Sequence, residues 1–294
     1  MSATSDLAAD LALALAAADA ADAVSLPGYV SRAFSVSRKA DASEVTEVDR
    51  ATETAIVDAL RAARPGDAVW GEEHGEVGPE GARRRWVIDP IDGTSNFVRG
   101  VPVWASLVAL VVDDEPVVGV VSAPAMGARW WAHRGGGAWR TAATHASSAP
   151  TRPTSPAQEP ALPPTRPTSP AQGPTLAPTR LRASAVTSLA EASVSITLSP
   201  GWDRVGTTPR LVELARSAAR SRGYGDFWQH MLVAEGALDL AIDAWGLQPY
   251  DVAALVPILE ESGAAWSDHV GARTWRGPTL VTRAPSLPPV TPLA

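Results

Sequence analysis

Apolar residues along this chain follow two periodicities in turn, and their alternation predicts a layered protein. Alanine and leucine recur at helical spacing from about Asp6 to Ala23. Thr46 to Ala63 repeats that pattern until Arg64-Pro65-Gly66 ends it. Asp67 to Gly71 reads as a short strand running into Glu72-Glu73, and Gly75 to Arg84 as a Gly- and charge-rich loop. Another strand ends at Trp86-Val87-Ile88. Trp104 to Val112 and Val117 to Ala123, joined by Asp113-Asp114-Glu115-Pro116, predict a hairpin. Arg129 to His133 adds a strand before the Gly135-Gly136-Gly137 turn. Further on, Leu181 to Leu198 alternates as one or two strands. Thr208 to Arg220 and Asp226 to Glu235 predict helices, and Leu238 to Ile242 a strand. Pro249-Tyr250-Asp251 opens a helix that runs to Gly263, a residue suited to the left-handed position after a helix end. This mixed order implies a layered α/β protein.

Between the two patterned regions the periodicity lapses. The stretch from Pro150 to Gln158 recurs almost unchanged from Pro164 to Gln172, and Pro178-Thr179-Arg180 begins a third copy. So much proline beside small polar residues builds neither a helix nor a central strand. The expected organisation is an N-terminal α+β half over 1–142 and a disordered or polyproline-II insert over 143–180. A C-terminal α/β half follows over 181–294.

Composition removes several chemistries. There is no cysteine among the 294 residues, which excludes disulfides, thiolate zinc sites and cysteine nucleophiles. The five histidines, His74, His133, His145, His230 and His269, are scattered without ligand spacing. A net charge of −7, from 25 basic and 32 acidic residues, argues against nucleic acid as a partner. Asp6, Asp10, Asp19 and Asp22 interrupt the N-terminal apolar run, which lacks a basic start, so it reads as a soluble helix and not a signal peptide. No stretch is apolar enough to span a bilayer, and a cytoplasmic enzyme is expected.

The candidate chemistry centres on Asp89-Pro90-Ile91-Asp92-Gly93-Thr94. Two carboxylates sit three residues apart on a turn set by Pro90 and Gly93, with a hydroxyl and a helix start behind them. Convergent carboxylates suit a hard cation such as Mg²⁺, and a helix start suits a phosphate. Turn chemistry alone also accounts for Asp-Pro and Asp-Gly pairs. Glu72 also ends a predicted strand, where ligands of α/β sheets gather; it converges with Asp89 if the two strands are neighbours, or is a solvated loop charge. Asp251 is a third carboxylate or a first-turn helix residue, and Thr46 to Asp49 fits a capping box.

Taken in order, Gly71-Glu72-Glu73, the run from Trp86 to Phe97, and Pro249 to Ala254 resemble the signatures of the inositol-monophosphatase-type family. Lys39-Ala40-Asp41 and Val45 to Asp49 match its upstream element. The resemblance covers nearly the whole chain outside the Pro-rich insert. It implies a layered α-β-α-β-α sandwich of the inositol monophosphatase and fructose bisphosphatase type. It also implies Mg²⁺-dependent hydrolysis of a small phosphate monoester. Under it, Glu72, Asp89 and Asp92 hold Mg²⁺ through carboxylates and Ile91 through its main-chain oxygen, and Asp251 completes a second metal position. Asp92, Gly93 and Thr94 contact the phosphate, while Asp49 and Thr94 hydrogen-bond and orient the attacking water beside Glu72.

Phe97 to Leu107, Gly119 to Ala125, Arg129 to Ala132 and Arg222 to Phe227 are similar to the histidinol-phosphatase branch of high-GC bacteria. That likeness implies L-histidinol phosphate, which carries an amine and an imidazole, as the substrate. Asp226 or Asp243 would pair with its charge, with Trp104 or Arg222 lining the pocket. The plainer roles are a strand residue for Trp104, a solvated arginine for Arg222 and a helix cap for Asp226. Inositol-1-monophosphatase activity and a non-catalytic regulatory protein of the same fold are the alternatives. The resemblance also implies a homodimer.

Overall fold

The structure is a computed structural model describing residues 3–39, 43–142, 177–291 and 293. The expectation for the Pro-rich segment over 143–176 lies outside the described residues, as do Ala40 and Asp41 of the upstream element.

The first half opens with helix α1 (Ala3–Ser31), a short pair β1 (Val36–Arg38) and β2 (Glu44–Thr46), and helix α2 (Glu47–Ala63). Strands β3 (Ala68–Gly71), β4 (Gly75–Val77) and β5 (Arg84–Asp92) follow, then the short helix α3 (Thr94–Arg99). Next come β6 (Ala105–Val112), β7 (Glu115–Ala123), β8 (Ala128–His133), β9 (Ala138–Ala142) and β10 (Thr179–Arg180). These build an eight-stranded sheet in the order β10-β9-β8-β7-β6-β5-β3-β4, parallel only where β3 meets β5. The second half contains β11 (Ser193–Ile196), α4 (Pro200–Arg204), α5 (Thr208–Ser217), β12 (Arg220–Arg222), α6 (Asp226–Ala234) and β13 (Leu240–Ile242). It ends with α7 (Pro249–Val252), α8 (Leu255–Ser262), β14 (Ala265–Ser267) and β15 (Val281–Arg283). Its five-stranded sheet runs β12-β11-β13-β15-β14.

Strand alternation makes the layers. Trp86 and Ile88 of β5 and Val118 and Val120 of β7 face α1 and α2, where Ala14, Ala17, Ala18 and Ala21 let the helix lie close to the sheet. Val87, Leu107 and Val121 face the other way, into a core shared with Phe227 and Met231 of α6 and Ile258 and Leu259 of α8. The outer face of the second sheet packs Leu240 and Ile242 against Trp202 of α4 and Leu211 and Leu214 of α5. The result is the expected α-β-α-β-α sandwich. At Gly119 the approach of α8 is so close that an added Cβ would lie 2.1 Å from the Ala254 carbonyl oxygen. Two of the aspartates interrupting the N-terminal run are anchors: Asp10 binds Arg64 and Arg84, each at 3.0 Å, and Asp22 binds Arg129 at 2.7 Å. No helix among the described residues is long and apolar enough to cross a membrane.

Several elements differ from the pattern reading. α1 continues eight residues beyond Ala23 to Ser31, because tertiary contacts hold its last turns: Tyr29 packs on Phe97 and Trp104 and donates to the Gly100 carbonyl. Gly75 to Val77 is strand and not loop, paired with β3. Leu181 to Leu198 yields one strand at its end. Leu181 N bonds Ala138 O and Ala183 N bonds Ser262 O, so the preceding residues dock on separate partners instead of one ladder. The last long helix breaks into α7 and α8, since Pro257 lacks an N–H and crowds the carbonyl four residues back. Thr179 and Arg180, at the end of the expected insert, form the edge strand β10 against β9.

Candidate active site

The turn expected at Pro90 is replaced by a bulged strand. β5 runs through Pro90 to Asp92, and its register against β6 shifts from Asp89↔Leu107 to Asp92↔Ala105. Three residues on one strand therefore oppose two on the other. In a regular strand, positions three apart point to opposite faces. The extra residue brings Asp89 and Asp92 back to one face, toward the second half. Proline is tolerated because the bulge relieves the ladder, and the Pro90 carbonyl is satisfied by the buried Ser106 hydroxyl at 2.7 Å. Gly93 then takes φ 83°, which favours glycine, and starts α3.

Asp251 reaches this pair from α7. One carboxylate oxygen accepts from Gln248 N at 2.7 Å, closing the helix start. Ligand atoms of Asp89, Asp92 and Asp251 all lie within 4.8 Å of one another. Capping and convergence thus occur in the same side chain.

Glu72 stands beside this trio, its charge acting on Asp89. Its carboxylate also bonds Lys39 at 2.7 Å, and Lys39 reaches Glu73 at 2.6 Å. Glu72 is placed by a residue the pattern did not single out. Glu53, buried on α2, accepts Glu73 N at 2.7 Å, His74 N at 2.8 Å and the His74 ring at 3.1 Å. Gly71 makes room for it, since a Cβ there would sit 2.1 Å from Glu53 Oε1. The only early signal for Glu53 is its place on the inward face of α2.

Asp49 both caps and connects. Its Oδ2 accepts the Thr46 N–H at 2.9 Å and the Thr46 hydroxyl at 2.6 Å, the capping box read from sequence. Its Oδ1 lies 3.1 Å from the Thr94 hydroxyl, which is also 3.0 Å from the Ile91 carbonyl. A hydroxyl has one proton to give, and the carboxylate is the stronger acceptor.

The second half adds two more carboxylates. Asp226 starts α6 at φ 49°, a left-handed conformation uncommon outside glycine. Asn96 of the first half donates to it at 2.7 Å, and Phe227 N donates to Asp92 at 2.9 Å. The two halves are thereby clasped across the site. Asp243 follows β13 and is held by Ala244 N at 2.7 Å and His230 Nε2 at 3.0 Å. His230, which the sequence offered no reason to choose, is completely buried. Arg222 lies apart: it is exposed on edge strand β12 and bonds the Ser221 carbonyl of its own strand. Trp104 packs in the core against Phe97 and Tyr29 instead of lining the site.

So many acids at close range oppose ionisation. Burial, then the charges of Glu72, Asp92 and Asp251, pushes Asp89 well above the usual carboxylate range. Burial, then Asp226 and Asp251, does the same to Asp92. Burial, with the charges of Glu72 and Asp243, lifts Asp251 to about 7 against the Gln248 bond, and burial with Asp243 lifts Asp226 to about 6. Burial also raises Glu72 and Asp49, against their hydrogen bonds from Lys39 and Thr46. At Lys39 burial opposes the charge, but Glu72 and Glu73 outweigh it and hold the ammonium above its ordinary value. One lysine facing this many carboxylates leaves negative charge uncompensated. An all-oxygen donor set of that kind fits a hard divalent cation.

The family model described as the inositol monophosphatase family matches residues 6–287. Histidinol-phosphatase of Mycobacterium tuberculosis is 42% identical over 254 residues, covering 86% of this chain and 85% of that protein. Histidinol-phosphatase of Streptomyces coelicolor is 40% identical over 262 residues, covering 88% and 86%. Among solved structures, the extragenic suppressor protein SuhB from Bartonella henselae superposes with a TM-score of 0.74 at 25% identity over 95% of each chain. Inositol monophosphatase from Anabaena shares the fold, with a TM-score of 0.72 at 21% identity, over 96% of this chain and 92% of its own. With an acidic site where two clasped halves meet and matches along nearly its whole length, the chain belongs to the inositol monophosphatase family, whose members are generally metal-dependent.

Proposed function

We propose that this phosphatase is a Mg²⁺-dependent histidinol-phosphatase, converting L-histidinol phosphate and water to L-histidinol and phosphate. One observation carries the reading: a trio of convergent carboxylates, Asp89, Asp92 and Asp251, borders a second acidic pair, Asp226 and Asp243. The trio suits a cation and a phosphate, and the pair suits a cationic amine. The names of the relatives from Mycobacterium tuberculosis and Streptomyces coelicolor support the same substrate.

In this reading Glu72, Asp89, Asp92 and Asp251, with the Ile91 carbonyl, hold Mg²⁺. The chemistry supplied on binding is neutralisation of the phosphoryl charge, acidification of the attacking water and stabilisation of the leaving oxygen. The residues of the chain do the rest. Asp92, Gly93 and Thr94 position the phosphate at the start of α3. Thr94 commits its proton to Asp49, so its oxygen accepts from the water and aims a lone pair at phosphorus. Burial makes Asp49 a stronger base than a free aspartate, and it takes up the proton through Thr94. The water oxygen bonds phosphorus as the ester P–O bond breaks; one water proton passes to Asp49, the other stays on the phosphate, and the departing alkoxide takes its proton from solvent water, with Asp49 returning its own to solvent afterwards. Asp226 and Asp243 hold the amine of the leaving alcohol. Arg222, exposed on β12, would have to reach the pocket from its rim.

The net charge of −7 supports the absence of a nucleic-acid partner. The resemblance supports a homodimer; a cytoplasmic location and a division into two halves about a Pro-rich insert are read from the sequence, with Thr179 and Arg180 at the end of that insert joined to the first sheet as β10. Purified protein with Mg²⁺ is expected to release phosphate from L-histidinol phosphate. Turnover of inositol 1-phosphate with none of histidinol phosphate would make the chain an inositol monophosphatase instead.

A further inference from the structure

Behind the site, the inner side of α6 carries polar groups into an otherwise apolar core. Asp226 and His230 are four residues apart, so they share one face of the helix. Both lie close to Asp243: its charge acts on Asp226, and His230 bonds it at 3.0 Å from Nε2 to Oδ2. The other ring nitrogen of His230 lies 3.0 Å from the Thr282 hydroxyl on β15, the strand paired with β13. His230 and Thr282 are both 0% exposed. A buried hydroxyl cannot meet a substrate, so this Thr–His–Asp chain is no nucleophilic triad despite its order.

The chain has a different use. Asp243 and Asp226 repel each other, and a carboxylate free to rotate would swing away from its neighbour. Asp243 has each oxygen tied, Oδ1 to Ala244 N and Oδ2 to His230. The His230 ring is in turn oriented by Thr282, which donates to Nδ1 when Nε2 carries the proton. A satisfied network of this sort fixes one arrangement. We infer that His230, oriented by Thr282, is a positioning residue that locks Asp243 beside Asp226 as a two-carboxylate seat for the ammonium of an amino-alcohol phosphate. The inference rests on the proposed function and names what makes the site selective for an amine over a neutral polyol.

The test compares L-histidinol phosphate with inositol 1-phosphate, with Mg²⁺ saturating. His230→Phe keeps the ring volume and removes both bonds. It is expected to raise KM for the amine-bearing ester by about tenfold, the equivalent of one lost hydrogen bond to a charged group, with kcat and the neutral ester unchanged. His230→Gln places an amide N–H where Nε2 stands and is expected to restore KM to within about twofold. Should the Phe variant not fold, Thr282→Val carries the test, with a KM rise of about threefold confined to the amine-bearing ester. Equal losses on both esters, or none on either, overturn the inference and leave the functional reading intact. Wild-type protein without preference for the amine overturns the functional reading, and this inference with it.

Discussion

The stretch from Gly71 to Thr94 and the stretch from Asp226 to Asp251 both contribute carboxylates to one site, but they are built differently. In the first, the strand bulge and the adjoining helix α2 place most of the groups, with one bond to Asp92 arriving from Phe227 of the other half. A bulge turns Asp89 and Asp92 to one face, Glu53 grips the backbone around Glu72, and Asp49 holds Thr94 from an adjacent helix start. In the second, Asp251 is capped locally, but Asp226 and Asp243 are placed by partners distant in sequence. Asp226 depends on Asn96, 130 residues earlier, and Asp243 on a histidine anchored to another strand. In the proposed reading the phosphate end of the site is largely a property of one segment and its adjoining helix, whereas the end that would face the leaving alcohol is a property of the assembled core. Chemistry common to all phosphate esters belongs at the first, and selection among esters at the second.

Asp89→Asn probes the first region most severely. It removes a charge from the centre of the trio while keeping shape, and kcat is expected to fall by at least about 10³-fold for every ester, several kcal/mol of transition-state stabilisation. Steady-state assays on two unrelated esters check this; a loss on only one would dissolve the division between the regions. Glu53→Gln acts one layer out. Its amide turns an N–H toward backbone donors that need an acceptor, so Glu72 loosens, and calorimetry is expected to show Mg²⁺ affinity lowered by about 10–100-fold. Asp226→Asn probes the second region. Asparagine tolerates the left-handed φ, so the backbone stays in place. KM for the amine-bearing ester is expected to rise by about tenfold, while that for inositol 1-phosphate holds or falls.

The same contrast decides what was legible in the sequence. The capping box at Thr46 to Asp49, the hairpin about Asp113 and Asp114, and the helix end at Gly263 are local, and each stands where the pattern put it. The positive φ of Asp113 and Asp114 shows why two polar residues sit in that turn. The bulge was hidden because an extra residue exists only relative to its partner strand β6, and Pro90 looked like a turn without it. Glu53 was hidden because an acidic residue on an acidic helix looks solvated until Gly71 is known to leave it room. His230 was hidden because its partner Thr282 lies 52 residues away. Asp226 and Asp243 were legible as acids of the right chemistry, but their mutual approach was not.

The comparison is sharpened last by proton linkage in metal-free protein. Asp251 rises from 3.8 to about 7 on folding and Asp226 from 3.8 to about 6. Each group therefore holds its proton more tightly folded than unfolded. Stability is present in full below about pH 4 for these groups and is lost as pH rises through their folded values, the reverse of an ion-paired carboxylate. Carboxylates held below the usual range elsewhere, such as Asp113 under its hydrogen bond from Arg83, lose stability toward acid and mask the trend in a simple titration. The difference between wild type and Asp251→Asn isolates it. The variant is expected to melt higher than wild type at pH 7.5, by on the order of 5 °C, with the gap closing toward pH 5. Added Mg²⁺ should erase the gap by stabilising wild type and not the variant. Asp226→Asn should show a smaller gap that closes at lower pH and, if Asp226 meets the leaving alcohol as proposed, responds less to Mg²⁺. Equal metal responses in the two variants would place Asp226 among the cation ligands and merge the two regions into one site.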